Sequence, residues 1–246
     1  MTLLLAERQF TAYGPSHWAA IIVLAVGAGL LVVLGRRQRD AGTGRTSSRA
    51  LAVALLAFLV PLQLYWMLPG QWHIGSSLPL QLCDLGGLAA AYALWTHRAW
   101  AFALTYYWGL TLTSQAFLTP ALDGFDFPHL HYIMFWGLHC LVVWAAIYLT
   151  WGLGLRPDWR GYGIAVGATV GWGLLMLGFN TLAGTNYGYV NHKPATGSVL
   201  DLMGPWPWYL LVELVVGTVA WALMTWPWVR RNRDAGTSPA VGRAAG

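Results

Sequence analysis

Long apolar runs recur through this chain and constrain its fold more than any other feature. Seven runs contain about 18 to 22 largely apolar residues each. Because an α-helix rises about 1.5 Å per residue, each run is long enough to cross a hydrocarbon core about 30 Å thick. The runs lie near residues 15–34, 50–68, 78–95, 99–118, 131–151, 163–183 and 206–226. The pattern predicts an all-α polytopic membrane bundle of seven transmembrane helices, forming one domain over residues 1–229.

The composition agrees with a membrane location. Hydrophobic residues make up 57% of the chain and charged residues only 9%, whereas soluble domains carry roughly a quarter charged residues. The chain also has sixteen Trp and eleven Tyr, residue types that collect at the level of lipid headgroups. We therefore expect a multi-pass protein of the cell membrane whose partners are membrane lipids.

The basic residues predict the orientation of the chain. Twelve of the fourteen Lys and Arg residues fall in connections that lie on one side of the predicted bundle or in the tail. The other side has only Arg8 and Lys193. By the positive-inside rule the N-terminus lies outside and the C-terminus inside. The same rule accounts for the net charge of +5 without a nucleic-acid partner. Residues 230–246 are polar and rich in small residues, which predicts a disordered cytoplasmic tail.

Polar side chains inside the runs indicate where function resides. Such groups are expensive in a membrane and usually face the bundle interior or a wet cavity. Counted from the predicted span ends, they fall in the outer half of the bundle, which favours one polar cavity open to the outside. Hydrogen bonding between helices is the plainer explanation, especially for Gln63 and Gln115. The polar set comprises Gln63, Gln81, Cys83, Asp84, Gln115, His139, Asn180 and Glu213.

Cys83 and His139 are the candidates for covalent chemistry. A neutral imidazole beside a thiol can accept its proton, and the resulting thiolate attacks carbonyl carbons. Asp84 or Glu213 could orient the imidazole as the third member of a triad. Because a thiol ionises poorly in an apolar bundle, the chemistry requires water or direct contact with His139. Alternatively, Cys83 is a small packing residue and His139 a hydrogen-bonded core residue.

Signatures of other functional classes are missing from the sequence. It contains no GxSxG elbow, no HExxH motif and no phosphate-binding glycine loop, so the serine-hydrolase, zinc-protease and NTPase readings lack their motifs. The only lysine, Lys193, lies outside the spans, which sets aside a retinal Schiff base. Four histidines near the outer connections have no ligand spacing typical of a metal site. We therefore predict neither a metal nor a cofactor.

Several segments together resemble a known family. GPSHW, LPLQLCDL, WGLHCLVV, FNTLAGTNYGYVNHKP and GPWPWYLL occur in the order found in YwaF-type bacterial relatives of the transmembrane protein 164 family. The resemblance covers roughly residues 10 to 226. It implies a helical membrane protein similar to acyltransferases that remodel ether phospholipids, with a cysteine as nucleophile. It also implies similarity to hydrolases of branched fatty acid esters, in which a span threonine pairs with a histidine two spans later. Cys83 and His139 match that arrangement, whereas Gln81 stands where the family motif often has a histidine.

These observations lead to one expected function and one alternative. We expect an acyltransferase or lipid-ester hydrolase that forms an acyl-enzyme from a phospholipid, with Cys83, His139, Asp84 and Glu213 as catalytic residues. The alternative is a non-enzymatic transporter or binding protein for a small solute or lipid headgroup, because membrane carboxylates are typical of proton-coupled pathways. Residues expected to contact substrate are Gln81, Gln115, Asn180, Asn186, Tyr187 and Lys193. The amides of Asn180 and Asn186 are candidates for an oxyanion site.

Overall fold

Helices dominate the part of the chain that the structure describes. The computed structural model describes residues 8–120, 122, 124–194 and 199–236. Among these residues the extended backbone pairing is limited to one bridge between Gln9 and Phe125, so the predicted all-α class is confirmed. The helices are α1 (Pro15–Asp40), α2 (Gly44–Trp66), α3 (Leu82–Thr96), α4 (Ala99–Tyr107), α5 (Gln115–Leu118), α6 (Leu130–Ile147), α7 (Trp159–Ala183) and α8 (Trp208–Gly236).

Two π-helical and two 3-10 segments complete the described elements. The first π-helical segment, π1, is Trp108–Thr113 and joins α4 to α5. The second, π2, is Tyr148–Gly152 and extends α6. The 3-10 segments are Tyr187–Tyr189 and Val199–Met203. They lie in the long connection between α7 and α8.

Five helices are long and apolar enough to cross a membrane. They are Pro15–Asp40, Gly44–Trp66, Leu130–Gly152, Trp159–Ala183 and Trp208–Arg230. This supports a multi-pass membrane protein in a lipid environment. The predicted third and fourth runs differ, because each is built from shorter helical pieces.

The third run starts its helix later than the apolar pattern predicts. Pro79 precedes an extended Gln81, and α3 begins only at Leu82. Asp84 stops the helix from extending backwards, because its Oδ2 accepts the backbone N–H of Gln81 at 3.2 Å. A carboxylate three residues after the N-cap that bonds back to the N-cap N–H forms half of a capping box. The apolar pattern therefore placed the start of the span at residue 78. The capping contact of Asp84 places the start of α3 at Leu82.

The fourth run contains a π-helical interruption. Its helical parts are α4, π1 and α5, which together cover Ala99 to Leu118 apart from Ser114. Gly109 of π1 lies close to α6, since a Cβ there would be 3.3 Å from the carbonyl oxygen of Val142 and from Ala146. π-Helical turns are rare and frequently occur at functional sites. Here the wider turn of π1 packs against α6.

The centre of the bundle is formed by α3, α4, α6 and π1. Small side chains dominate the buried face of α3, and buried residues continue along α4 and α6. Gly87 lets α2 approach, because a Cβ at this position would be 2.5 Å from Leu59. In a membrane, close packing through small residues replaces the hydrophobic driving force of water. The helices α1, α2, α7 and α8 surround this centre and expose large apolar side chains to the surroundings.

The predicted domain boundary lies near the end of the described region. Helix α8 runs to Gly236, while residues 237–246 lie outside the described residues. The division into a membrane domain over residues 1–229 and a disordered tail over residues 230–246 therefore stays a prediction.

Candidate functional site

Two connections meet over the start of α3. Tyr187, in the connection between α7 and α8, is fully buried. Its hydroxyl donates to the carbonyl of Ile74 at 2.7 Å and accepts the N–H of Leu78 at 3.1 Å. Burial raises the pKa of Tyr187 above its usual value, so the phenol remains protonated and donates. Tyr187 therefore fastens one connection to the other.

A second set of contacts holds the residues just before α3. The N–H of Gly188 donates to Oε1 of Gln81 at 3.1 Å. Trp172 of α7 donates its indole N–H to the carbonyl of Leu80 at 2.8 Å. Gly188 has φ +66°, and a Cβ there would lie 2.0 Å from the Trp172 ring, so only glycine fits. Gln81, predicted to contact substrate, here positions the entry to α3.

Two asparagines hold the α7–α8 connection. Asn180 is 2% exposed; its Nδ2 donates to the carbonyl of Tyr187 and to Oδ1 of Asn191. Because a side-chain amide has two N–H groups, this geometry leaves Asn180 no free amide hydrogen for the oxyanion role that the sequence suggested. The Nδ2 of Asn186 donates to the carbonyl oxygen of His192 at 2.8 Å. The Nδ1 of His192 is also close to Asn186, but it lies 3.1 Å from the carbonyl of Lys193, which only accepts, so this nitrogen carries the ring proton.

Asp84 faces a small recess between α2, α3 and α6. The recess has a volume of about 120 Å³ and is lined by polar groups of Gln63, Ser76, Gln81 and Asp84. Its apolar wall includes Leu138. A buried water needs two to four polar partners, and the recess supplies several. Of the polar residues predicted to share one outward-facing cavity, Gln63, Gln81 and Asp84 line this recess.

Cys83 precedes Asp84 in the first turn of α3 and is not among the residues that line the recess. Its neighbours one helical turn further along are Gly86 and Gly87. A Cβ at Gly86 would contact Thr113 of π1 at 3.8 Å, and one at Gly87 would be 2.5 Å from Leu59 of α2 and 3.9 Å from Leu138 of α6. Since residues three and four apart share a helix face, Cys83 lies on the side of α3 directed towards π1 and the neighbouring helices α2 and α6. Its Sγ is 4.0 Å from Oδ1 of Asp84.

His139 is buried in α6, one residue after the recess-lining Leu138. The imidazole is 9% exposed, and its Nδ1 lies 2.7 Å from the carbonyl oxygen of Phe135. A carbonyl only accepts, so Nδ1 carries the proton of the neutral ring and Nε2 carries the lone pair. Among the described contacts, no hydrogen bond joins His139 to Cys83, Asp84 or Glu213. The predicted pairing of Cys83 with His139 therefore stays a prediction.

The remaining predicted site residues lie elsewhere. Gln115 is exposed at the first residue of α5, and Glu213 is exposed near the start of α8. Lys193 forms an ion pair with Asp201 at 3.6 Å and lies 5.7 Å from the centre of the Tyr209 ring. These three residues are not among those lining the recess.

Comparison with known proteins identifies the family. The model of the TMEM164 family matches residues 12–225, which is most of the chain. The chain belongs to the TMEM164 family. The match includes both connections over α3, the recess and the helices that carry Cys83 and His139. No curated protein and no solved structure matches the chain.

In this TMEM164 family member, the GPSHW segment has a role that sequence reasoning missed. His17 is fully buried, and its ring stacks on Trp136 of α6 with centroids 4.9 Å apart. Its Nδ1 accepts the N–H of Tyr13 at 2.9 Å. The neighbouring carbonyl of Ser16 accepts from the hydroxyl of Tyr132 at 2.7 Å. The segment therefore attaches the start of α1 to α6, a long-range contact with no signature in the local sequence.

Metal-ligating side chains do not cluster in the described part of the chain. No group of three or more His, Cys, Asp or Glu residues there is placed to hold a metal ion. His73, His129, His131 and His192 stand in separate connections or at the start of α6. The candidate functional site therefore consists of the recess, Cys83 and His139.

Proposed function

We propose that this TMEM164 family protein is a cell-membrane enzyme that transfers or hydrolyses an acyl chain of a phospholipid, with Cys83 as nucleophile and His139 as base. One observation carries the proposal. The recess is bordered by Asp84, next to Cys83, and by Leu138, next to His139. Cys83 and His139 are therefore each adjacent in sequence to a residue that lines the same small recess, and the family resemblance implies acyl transfer.

The proposal includes a topology of seven crossings. α3, together with the combined stretch α4, π1 and α5, supplies two crossings beyond the five long helices. The N-terminus lies outside and the C-terminus inside, because the turn between α1 and α2 is surrounded by arginines. Those arginines are Arg36, Arg37, Arg39, Arg45 and Arg49. The recess then opens in the outer half of the membrane.

The first half of the reaction forms a thioester. Nε2 of His139 accepts the proton of the Cys83 thiol, directly after rotation of the thiol or through a water in the recess. The thiolate adds to the ester carbonyl, and the tetrahedral intermediate collapses by breaking the bond to the lysolipid oxygen. The leaving oxygen takes the proton from the imidazolium. The acyl chain is then bonded to the sulfur of Cys83.

The second half regenerates the thiol. A lysolipid hydroxyl or water gives its proton to Nε2 of His139 and attacks the thioester carbonyl. The bond from carbon to the sulfur of Cys83 breaks, and the thiolate regains its proton from the imidazolium. The carbonyl of Phe135 keeps the ring in the required tautomer throughout, since it holds the proton on Nδ1.

Asp84 acts in this proposal as a positioning residue. Its contact with the Gln81 N–H fixes the first turn of α3, and this turn carries Cys83. Glu213 was predicted to orient the imidazole, but the carbonyl of Phe135 occupies the nitrogen that such a carboxylate would contact. We assign Glu213 no step in the reaction.

Mass spectrometry of the intact protein tests the chemistry. After incubation with phospholipid vesicles, the wild type should carry an acyl adduct that hydroxylamine removes, as expected for a thioester. Cys140→Ala is a matched control because Cys140 is the other cysteine and faces away from the recess. The adduct should persist in Cys140→Ala, disappear in Cys83→Ala and fall by roughly a hundredfold in His139→Gln. Lipid turnover by Cys83→Ala would exclude the mechanism.

A binding or transport function is the second candidate, because a carboxylate lines the recess. Asp84→Asn separates the two functions. Asparagine retains an oxygen that can cap α3, so the enzyme should keep its acyl adduct within about threefold. A proton-coupled carrier needs the carboxylate itself, and Asp84→Asn would abolish its function. Loss of the adduct in Asp84→Asn while α3 remains intact would assign the carboxylate a direct chemical role.

A further inference from the structure

A second, larger cavity lies on the other side of α6 from His139. It has a volume of about 500 Å³ and runs between α1, α2 and α6. Its walls include Val23 of α1, Phe58 of α2, and Trp136 and Trp144 of α6. Almost all of its lining is apolar, and it is open along one side. We call it the α1–α2 groove; nothing in the proposed reaction uses it.

The groove exists because α1 and α2 pack on α6 more than on each other. Trp144 of α6 donates its indole N–H to the carbonyl of Leu24 at 2.9 Å, and Gly27 of α1 accommodates the Trp144 ring. Phe58 of α2 packs over Gly137 of α6, where a Cβ would be 2.3 Å from the ring. These contacts fix the two helices at separate places on α6.

The short turn between α1 and α2 closes the groove at one end. The hydroxyl of Tyr148 donates to Oε1 of Gln38 at 2.7 Å and also lies 3.3 Å from the carbonyl oxygen of Gly44. The end of α1 and the start of α2 are therefore held together on π2. Ser16, at the other end of α1, lines the groove. The groove therefore extends between the helices as far as the start of α1.

The dimensions of the groove decide what fits into it. Its lining on α6 extends from Tyr132 to Trp144, about 18 Å at ~1.5 Å per residue. A helix about 10 to 12 Å wide would occupy roughly 1,700 Å³ over that length. The groove has a volume of about 500 Å³, so a helix is too large. A single chain of methylene groups, with carbons about 3.5 to 4 Å from their neighbours, fits.

The surroundings of the groove determine the chemical class of its occupant. Helices α1 and α2 are both long and apolar enough to span a membrane, so the open side of the groove faces lipid tails. We propose that the α1–α2 groove binds one acyl chain of a membrane phospholipid, which lies along α6 between α1 and α2. Because the groove and His139 are on different faces of α6, this lipid is bound separately from the reacting one.

Photocrosslinking in lipid nanodiscs tests this site. The probe is a phosphatidylcholine with a diazirine in one acyl chain, and mass spectrometry locates the modified residues. We expect modification to concentrate at Ile133 to Trp144 of α6. On a per-residue basis it should exceed modification at Leu174 and Leu175, which are 67% and 71% exposed on α7, by about fivefold, since a chain in a groove has more contacts.

Neighbouring substitutions on α1 provide a matched pair. Val23 lines the groove and is 54% exposed, while Ile22 is 59% exposed and is not among the lining residues. Val23→Trp fills the open side of the groove without entering the packed core, and it should reduce modification of α6 about fivefold. Ile22→Trp should leave the modification unchanged. If Val23→Trp does not fold, the smaller change Ala19→Leu tests the same wall.

Two results would overturn the proposal. One is modification of α6 no greater than that of exposed α7. The other is an equal effect of Val23→Trp and Ile22→Trp. Cys83→Ala should leave the modification pattern unchanged, so the outcome is independent of whether Cys83 forms an acyl adduct.

Discussion

Asn180 shows how much a single side chain contributes to the shape of the α7–α8 connection. Its amide oxygen accepts the N–H of Tyr187 at 2.9 Å and the hydroxyl of Thr185 at 2.8 Å. Its nitrogen reaches the Tyr187 carbonyl at 3.0 Å. Pairing with both backbone groups of Tyr187 places that residue where its hydroxyl can fasten the α2–α3 connection. A polar residue in an apolar run can therefore act on the site through a loop.

Removing the Asn180 amide should destabilise this connection. Asn180→Ala leaves several buried groups without partners, so we expect a loss of about 2 to 4 kcal/mol, measured by thermal unfolding in detergent. Asn186→Ala is the control, because water can replace the contacts of this more exposed residue, and it should cost less than about 1 kcal/mol. Equal losses would show that burial of Asn180 does not matter.

His97 predicts a pH dependence at the opposite end of α3. It ends the helix with φ +57°, and its Nε2 lies 2.9 Å from Oγ of the buried Ser48. Burial lowers the pKa of His97, and the nearby Arg45 and Arg49 lower it further. The unfolded chain binds the proton more readily, so stability should fall as the pH drops below about 6.5 towards the folded pKa.

The substitution His97→Asn should remove this dependence. Asparagine tolerates the left-handed conformation but does not titrate. The unfolding temperature of the variant should change less than that of the wild type between pH 8 and pH 5. An identical slope for the two proteins would mean that His97 does not contribute.

At the scale of elements, contacts through glycine set the distance between helices. Gly35 of α1 meets Gly152 of π2, and a Cβ at Gly35 would lie 2.7 Å from the Gly152 Cα. Because this neighbour is backbone, a side chain at Gly35 must move a whole element. Gly29 on the same helix has no heavy atom within 4 Å of the equivalent position.

These two glycines give a paired prediction for the packing of α1. Gly35→Ala should separate α1 from π2 and cost about 1 to 3 kcal/mol. Gly29→Ala should change stability by no more than about 0.5 kcal/mol. Unfolding of the purified variants in detergent micelles measures both. A large effect at Gly29 would indicate a partner on the exposed face of α1.

At the scale of the whole molecule, the distribution of charge predicts which connections lie outside. Gly70 stands between α2 and α3, and Ala41 stands in the arginine-rich turn between α1 and α2; both are exposed. In a protein whose two native cysteines are replaced by alanine, a membrane-impermeant maleimide should label Gly70→Cys in intact cells. It should label Ala41→Cys only after permeabilisation. The reverse pattern would place the N-terminus inside.

The sequence predicted some features of the candidate site and missed others. The sequence predicted that polar residues of α2 and α3 lie close together, because they lie at similar depths in the membrane. The rise per residue of a helix converts residue number into depth. Gln63, Gln81 and Asp84 indeed share the recess. The depth of a residue in the membrane does not define the direction in which its side chain points around the helix axis. Depth alone therefore could not distinguish His139, which is buried, from Glu213, which is exposed. It also could not show that Asn180 uses both of its amide hydrogens within the α7–α8 connection and its contact with Asn191.

The sequence by itself determined the helical class, the membrane environment and the family. Each of these depends on composition, run length or ordered motifs, which are local properties of the chain. Tertiary structure decided where α3 begins, how π1 meets α6 and where grooves remain between helices. The α1–α2 groove, for example, results from the packing of Gly27 on Trp144 and of Gly137 on Phe58. Such pairs join residues that are far apart in sequence, and apolar runs of equal hydropathy do not distinguish a face packed on protein from one covered by lipid.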